Sequence, residues 1–215
     1  MRHLRCIGWV SINVHFKGLN FGRYIDKIDV KKKGRLHMTD NDIVQLANEM
    51  GFSAAYINTS DVVQDPSFRK FCEDNLCGKY NANYSCPPDC GTVEQVQERL
   101  KAGKRALVLQ SIWDIGSYDN KDEIQKSKKT HNAAILRFTE SLRKEGINGF
   151  CLGYGGCPLC DPCKRVTNEP CAHPDKKISC MSAYCIDVAK LANKCGLEFA
   201  WIPEKLFLFG MFVFA

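Results

Sequence analysis

The sequence predicts an α+β domain with one mixed or antiparallel sheet of about four strands, packed by helices and carrying two cysteine-rich metal loops. Three observations predict it. Segments with apolar residues at helical spacing alternate with short β-prone runs from Thr39 to the end of the chain. The 215 residues, 45% hydrophobic and 25% charged, suffice for one core without covalent staples. Thirteen cysteines fall largely into two Pro- and Gly-rich stretches that can build neither helix nor central strand.

The elements follow in order. Thr39 or Asp40 can cap a helix whose apolar positions are Ile43, Leu46, Ala47 and Met50, with Gly51 at its end. FSAAYINTS reads as a short strand. After the first cysteine loop, Thr92 and Gln95 form a capping box for a helix carrying Val93, Val96 and Leu100, closed by Gly103. RALVLQSIWDI is the strongest strand signal. Residues 121–145 predict a long charged helix with Ile124, His131, Ile135, Phe138 and Leu142 on one face and Gly146 as its stop. INGFCLGYGG reads as a strand entering the second cysteine loop. Beyond that loop, Met181, Tyr184, Cys185, Val188, Leu191, Ala192 and Cys195 trace one helical face ended by Gly196. LEFAWIP and KLFLFGMFVFA are read as two more strands, the last apolar on both faces and therefore central.

The net charge of +6 is unevenly placed. Residues 1–37 hold nine Lys or Arg against Asp26 and Asp29, whereas the rest of the chain carries 21 basic and 22 acidic residues. Basicity thus belongs to a leader and not to the folded body, which removes the footing for nucleic-acid binding. Residues 1–37 are expected to be a disordered basic extension, or translated upstream sequence, and residues 38–215 the cysteine-rich metal-binding domain. Ser11, Asn13 and His15 interrupt the apolar stretch near the N-terminus, so it does not read as a secretory signal. LFLFGMFVFA has half the roughly 20 residues a membrane span needs. The odd cysteine count and the missing signal argue against a secreted disulfide scaffold. A reducing, cytoplasmic location is expected, where clustered thiols bind metal more often than each other.

Eight of the 13 cysteines form two groups of four. Cys157, Cys160, Cys163 and Cys171 have the spacing C-x2-C-x2-C-x7-C. Each two-residue gap lets successive thiolates turn toward one centre, and three in succession wrap a body larger than one ion, which favours a 4Fe-4S cluster. Zinc, the alternative, takes four thiolates at about 2.3 Å and usually draws them from two separated C-x2-C knuckles. Pro158, Pro162 and Pro170 stiffen the turns between the thiols. The first group, Cys72, Cys77, Cys86 and Cys90, has the less specific spacing C-x4-C-x8-C-x3-C. Its Cys86-Pro87 step resembles the Cys-Pro that closes ferredoxin loops.

The fragments CGKYNANYSCPPDCGT, GGCPLCDPC, EPCAHPDK and MSAYCIDV resemble a family of predicted metal-binding proteins, domain of unknown function 2284. The resemblance runs from about Met38 to the end of the chain. It implies a cysteine-liganded metal or iron–sulfur protein without an established activity, and supports Cys77, Cys86, Cys157, Cys160, Cys163 and Cys171 as ligands. Where the resemblance implies arginine after the last loop cysteine, this chain has Ala172, His173 and Pro174. Cys180 and Cys185 depart from the pattern, and Cys185, Cys195 and Cys151 are read as packing residues. His131 reads as a hydrogen-bonded core histidine and His173 as an exposed loop residue. The glycines of GYGGC lack the spacing and the lysine of a phosphate loop, and instead permit close approach of backbone to a metal centre.

These residues point to one or two 4Fe-4S clusters serving electron transfer with a redox partner protein. A structural zinc module for protein interaction is the second reading, and an enzyme with an open-site cluster the third.

Overall fold

The apolar run near the C-terminus organises the fold. The computed structural model describes residues 38–215, and the extension expected over residues 1–37 lies outside the described residues. Every residue of Leu206–Phe214 is buried. That run forms a strand, Lys205–Phe214, in the middle of a five-stranded sheet. In chain order the strands are β1 (Ser53–Asn58), β2 (Arg105–Asp114), β3 (Gly149–Gly153), β4 (Ser179–Cys180) and β5 (Lys205–Phe214). Their spatial order is β1-β2-β5-β3-β4. All neighbours are antiparallel except β3 and β4, so the sheet is mixed, as expected.

Among the described residues five α-helices complete the fold: α1 (Asp40–Glu49), α2 (Arg69–Glu73), α3 (Val93–Ala102), α4 (Lys121–Lys144) and α5 (Val188–Cys195). Strand alternation sends Val108, Phe209, Met211 and Val213 to one face with Val96, Leu100 and Leu191, and Leu107, Leu109 and Phe212 to the other with Ile43, Ile135 and Phe138. Both faces are therefore covered, which accounts for the unbroken apolar run of β5. Fully burying each such side chain contributes roughly 1.5–3 kcal/mol.

The capping signals were legible. The Gln95 amide donates to Thr92 Oγ1 at 3.3 Å while the Thr92 amide donates to Gln95 Oε1 at 2.9 Å. Thr39, not Asp40, caps α1, with Asp42 returning the bond.

Two expectations are corrected. The continuous helix drawn from Met181 to Cys195 is broken: Ser182–Tyr184 is a short 3-10 turn, Cys185 is left-handed at φ 56°, and Asp187 caps a new helix by accepting the Lys190 amide at 3.0 Å. The segment before α2 captures this backbone, with Gln64 Nε2 donating to the Tyr184 carbonyl and the Asp65 amide to the Cys185 carbonyl, both at 2.8 Å. LEFAWIP is not a strand. Both edges of β5 are already occupied by β2 and β3, so only Ile202 makes a bridge, to Lys205. The short elements α2 and β4 were not foreseen. Among the described residues, no helix is long and apolar enough to cross a membrane.

Candidate metal centre

The cysteine loops gather beside the β3–β4 edge of the sheet. All described cysteines are free thiols. Cys72 lies on α2, half-buried against the core; Cys77 is exposed in the following turn; Cys86 and Cys90 are buried at the end of the same loop. Cys157, Cys160, Cys163 and Cys171 are all half-buried in the loop after β3. The packing cysteines sit as read: Cys151 is buried on β3, Cys185 is buried in the turn before α5, and Cys195 is half-buried. His173 is exposed.

The structure joins the two loops, which spacing alone treats as separate. Arg165 of the second loop donates from Nε to Asp89 at 2.8 Å and from Nη2 to Asn81 at 2.6 Å in the first. Tyr84 donates its hydroxyl to the Glu169 carbonyl at 2.6 Å, and the buried Asn83 donates Nδ2 to the Cys157 carbonyl at 3.0 Å. Gly156, immediately before Cys157, rests so close to Cys86 that a Cβ there would lie 3.3 Å from its Sγ. A Cβ at Gly156 would crowd Asn83, Cys86 and Lys79 of the first loop.

A second anchor holds the approach to Cys157. Asn132 of α4, nearly buried, donates Nδ2 to the Tyr154 carbonyl at 2.6 Å and accepts the Tyr154 amide at 2.9 Å. Gly153 makes room for it, since a Cβ there would meet Asn132 Oδ1 at 2.6 Å. Sequence reasoning missed Asn132, because an asparagine within a helix carries no signal of its distant partner.

The thiols bear on one another electrostatically. Burial, and then the neighbouring charge of Cys180, pushes Cys72 up to about 12. Cys86 is raised by burial first and then by Cys180, Cys77, Cys72 and Cys90. Cys160 is raised by desolvation and then by Cys163, Cys157 and Cys171. Burial, and after it mutual repulsion, favours the protonated form of Cys72, Cys86 and Cys160, and a cationic metal centre would reverse that preference. Cys90 is also raised by burial, but Arg69 opposes the rise.

Arg69 is the unforeseen charged group here. It is 8% exposed; its Nη1 donates to Cys90 Sγ at 3.7 Å, and Cys185 also lies against the guanidinium, whose Nε and Nη2 have no partner at normal hydrogen-bond geometry. A buried cation lacking a carboxylate is costly unless an anionic group offsets it. Ser85 Oγ, next to Cys86, is likewise buried without a partner. These orphaned donors and the all-sulfur donor set fit a soft, thiolate-bound and overall anionic group. Among the described residues, no three or more His, Cys, Asp or Glu side chains are gathered in the geometry of a metal ion.

Residues 55–214 match the family described as "Predicted metal-binding protein (DUF2284)". The chain belongs to that family. The match spans β1 to β5 and both cysteine loops, and its description leaves the metal unspecified. Neither a curated protein nor a solved structure matches the chain.

Proposed function

We propose that this family member carries 4Fe-4S clusters on its two cysteine loops and passes electrons to or from a partner protein in a reducing, cytoplasmic setting. The observation that carries the reading is the run Cys157, Cys160, Cys163 with Cys171 on a proline-stiffened loop packed directly against a second thiol set. Three thiols at successive two-residue gaps suit a cubane, whose corners are farther apart than the ligands of one zinc ion.

A bound cluster would supply reversible one-electron chemistry over a range of roughly −700 to +450 mV. The chain's own residues do the rest. Cys157, Cys160, Cys163 and Cys171 hold one centre. Cys86 with Cys72, Cys77 and Cys90 are the candidates for the other. Asn83 and Gly156 keep the loops in contact, so that electrons entering at the half-exposed second loop have a short path to the buried first one. Arg69 offsets negative charge at the buried set, and burial limits solvent access. Neither nucleic acid nor membrane is a partner in this reading.

Anaerobic purification with iron, sulfide and zinc analysis tests it. The expected result is a brown protein with equimolar iron and acid-labile sulfide, diminished by Cys160→Ser and by Cys86→Ser. A colourless protein with stoichiometric zinc overturns it in favour of a structural zinc module.

A further inference from the structure

We infer that Cys180 on β4, and not Cys90, completes the first thiol set, which is then Cys72, Cys77, Cys86 and Cys180. The inference rests on the reading that these loops hold a thiolate-bound centre. It reassigns one ligand that spacing had assigned and adds one that spacing had passed over.

Three placements put Cys180 at the site. It pairs in register with Gly153, and the Met181 amide donates to the Gly153 carbonyl at 3.2 Å. From Gly153 the chain runs three residues to Gly156, which lies against Cys86 Sγ. Cys180 and Cys72 also rest on the same apolar cluster, and α2, which bears Cys72, packs against the Ser182–Tyr184 turn that begins two residues after Cys180. Cys180 therefore sits between the elements that carry Cys72 and Cys86.

Cys90 is engaged elsewhere. Its side chain is 3% exposed; its sulfur accepts from Arg69 Nη1 at 3.7 Å and donates to the Gly91 carbonyl at 3.8 Å. Its own carbonyl accepts from Arg99 Nη1 at 3.3 Å, and the same Nη1 donates to the Tyr184 hydroxyl at 2.9 Å. Cys90 thus forms a packed polar knot with Arg69, Arg99 and Tyr184. Its role in this assignment is to hold the Arg69 guanidinium.

The test compares full-length wild type, Cys180→Ser, Cys180→Ala and Cys90→Ser, each loaded anaerobically with ferrous iron and sulfide and, separately, titrated with cobalt(II). Circular dichroism and thermal melts of the metal-free proteins confirm that each variant folds, which the edge position of β4 favours. Both Cys180 variants are expected to lose about half of the bound iron and sulfide and the matching part of the cobalt–thiolate absorption, while Cys90→Ser keeps the wild-type content of both. Loss with Cys90→Ser, or full retention with folded Cys180 variants, overturns the assignment. Wild type that binds cobalt but no iron and sulfide overturns the cluster reading while the cobalt spectra still decide the ligand. Wild type that takes up neither overturns both.

Discussion

Acid should destabilise this protein through the buried histidine of α4, from about pH 6.5 downward. His131 of α4 has no exposed surface, and its Nδ1 lies 2.7 Å from Ser111 Oγ. The Trp113 indole can only donate, and does so to the same Oγ at 2.8 Å. The serine proton is therefore left for His131 Nδ1, and the histidine proton resides on Nε2, assigned from the network. Nε2 makes no hydrogen bond of normal geometry, although the Phe209 backbone acts on the ring, and the Phe52 and His131 rings pack at 83° with centroids 5.6 Å apart. Burial pulls the imidazole from 6.5 down to about 4, with the Phe209 backbone opposing. The unfolded chain thus takes up a proton that the folded chain refuses. Stability is fully present above about 6.5 and is lost as pH falls toward about 4, below which this group adds no further loss. At about 1.4 kcal/mol per pH unit the whole span is worth on the order of 3 kcal/mol. Urea unfolding of the metal-free protein from about pH 7 to about pH 5 should show a fall of about 2 kcal/mol, and His131→Gln should abolish the slope. A flat profile for wild type, or an undiminished slope in the variant, would refute the reasoning.

Other consequences are measurable. Gly210→Ala places a methyl group into the Ile135 side chain and 2.9 Å from the Leu152 carbonyl in the central strand, and should lower unfolding free energy by roughly 1–3 kcal/mol. Gly116→Ala, with its nearest atom at 3.8 Å, should change chemical denaturation little. Asn132→Ala strips both backbone groups of Tyr154 of their partner, so a loss of roughly 1–3 kcal/mol is expected by the same assay. Arg165→Ala removes the links to Asp89 and Asn81; hydrogen exchange should quicken in both cysteine loops together, while global stability changes by about 1 kcal/mol or less. Exchange that quickens in only one loop would contradict their coupling.

The sequence by itself determined the elements whose causes are local. The capping box of Thr92 and Gln95, the long face of α4 and the two-sided apolar run of β5 each follow from spacing within a few turns or residues, and each is found where expected. It also carried the fragments by which the chain resembles the predicted metal-binding family whose model it matches. Only tertiary structure decided what depends on distant partners. The helix predicted from Met181 breaks at Cys185 because Gln64 and Asp65 take its carbonyls, and LEFAWIP is no strand because β5 already has two neighbours. The same holds for the site. Arg69 meets Cys90 from 21 residues away and Cys180 pairs with Gly153, and periodicity carries no information about which loop a buried guanidinium or an edge-strand cysteine will face.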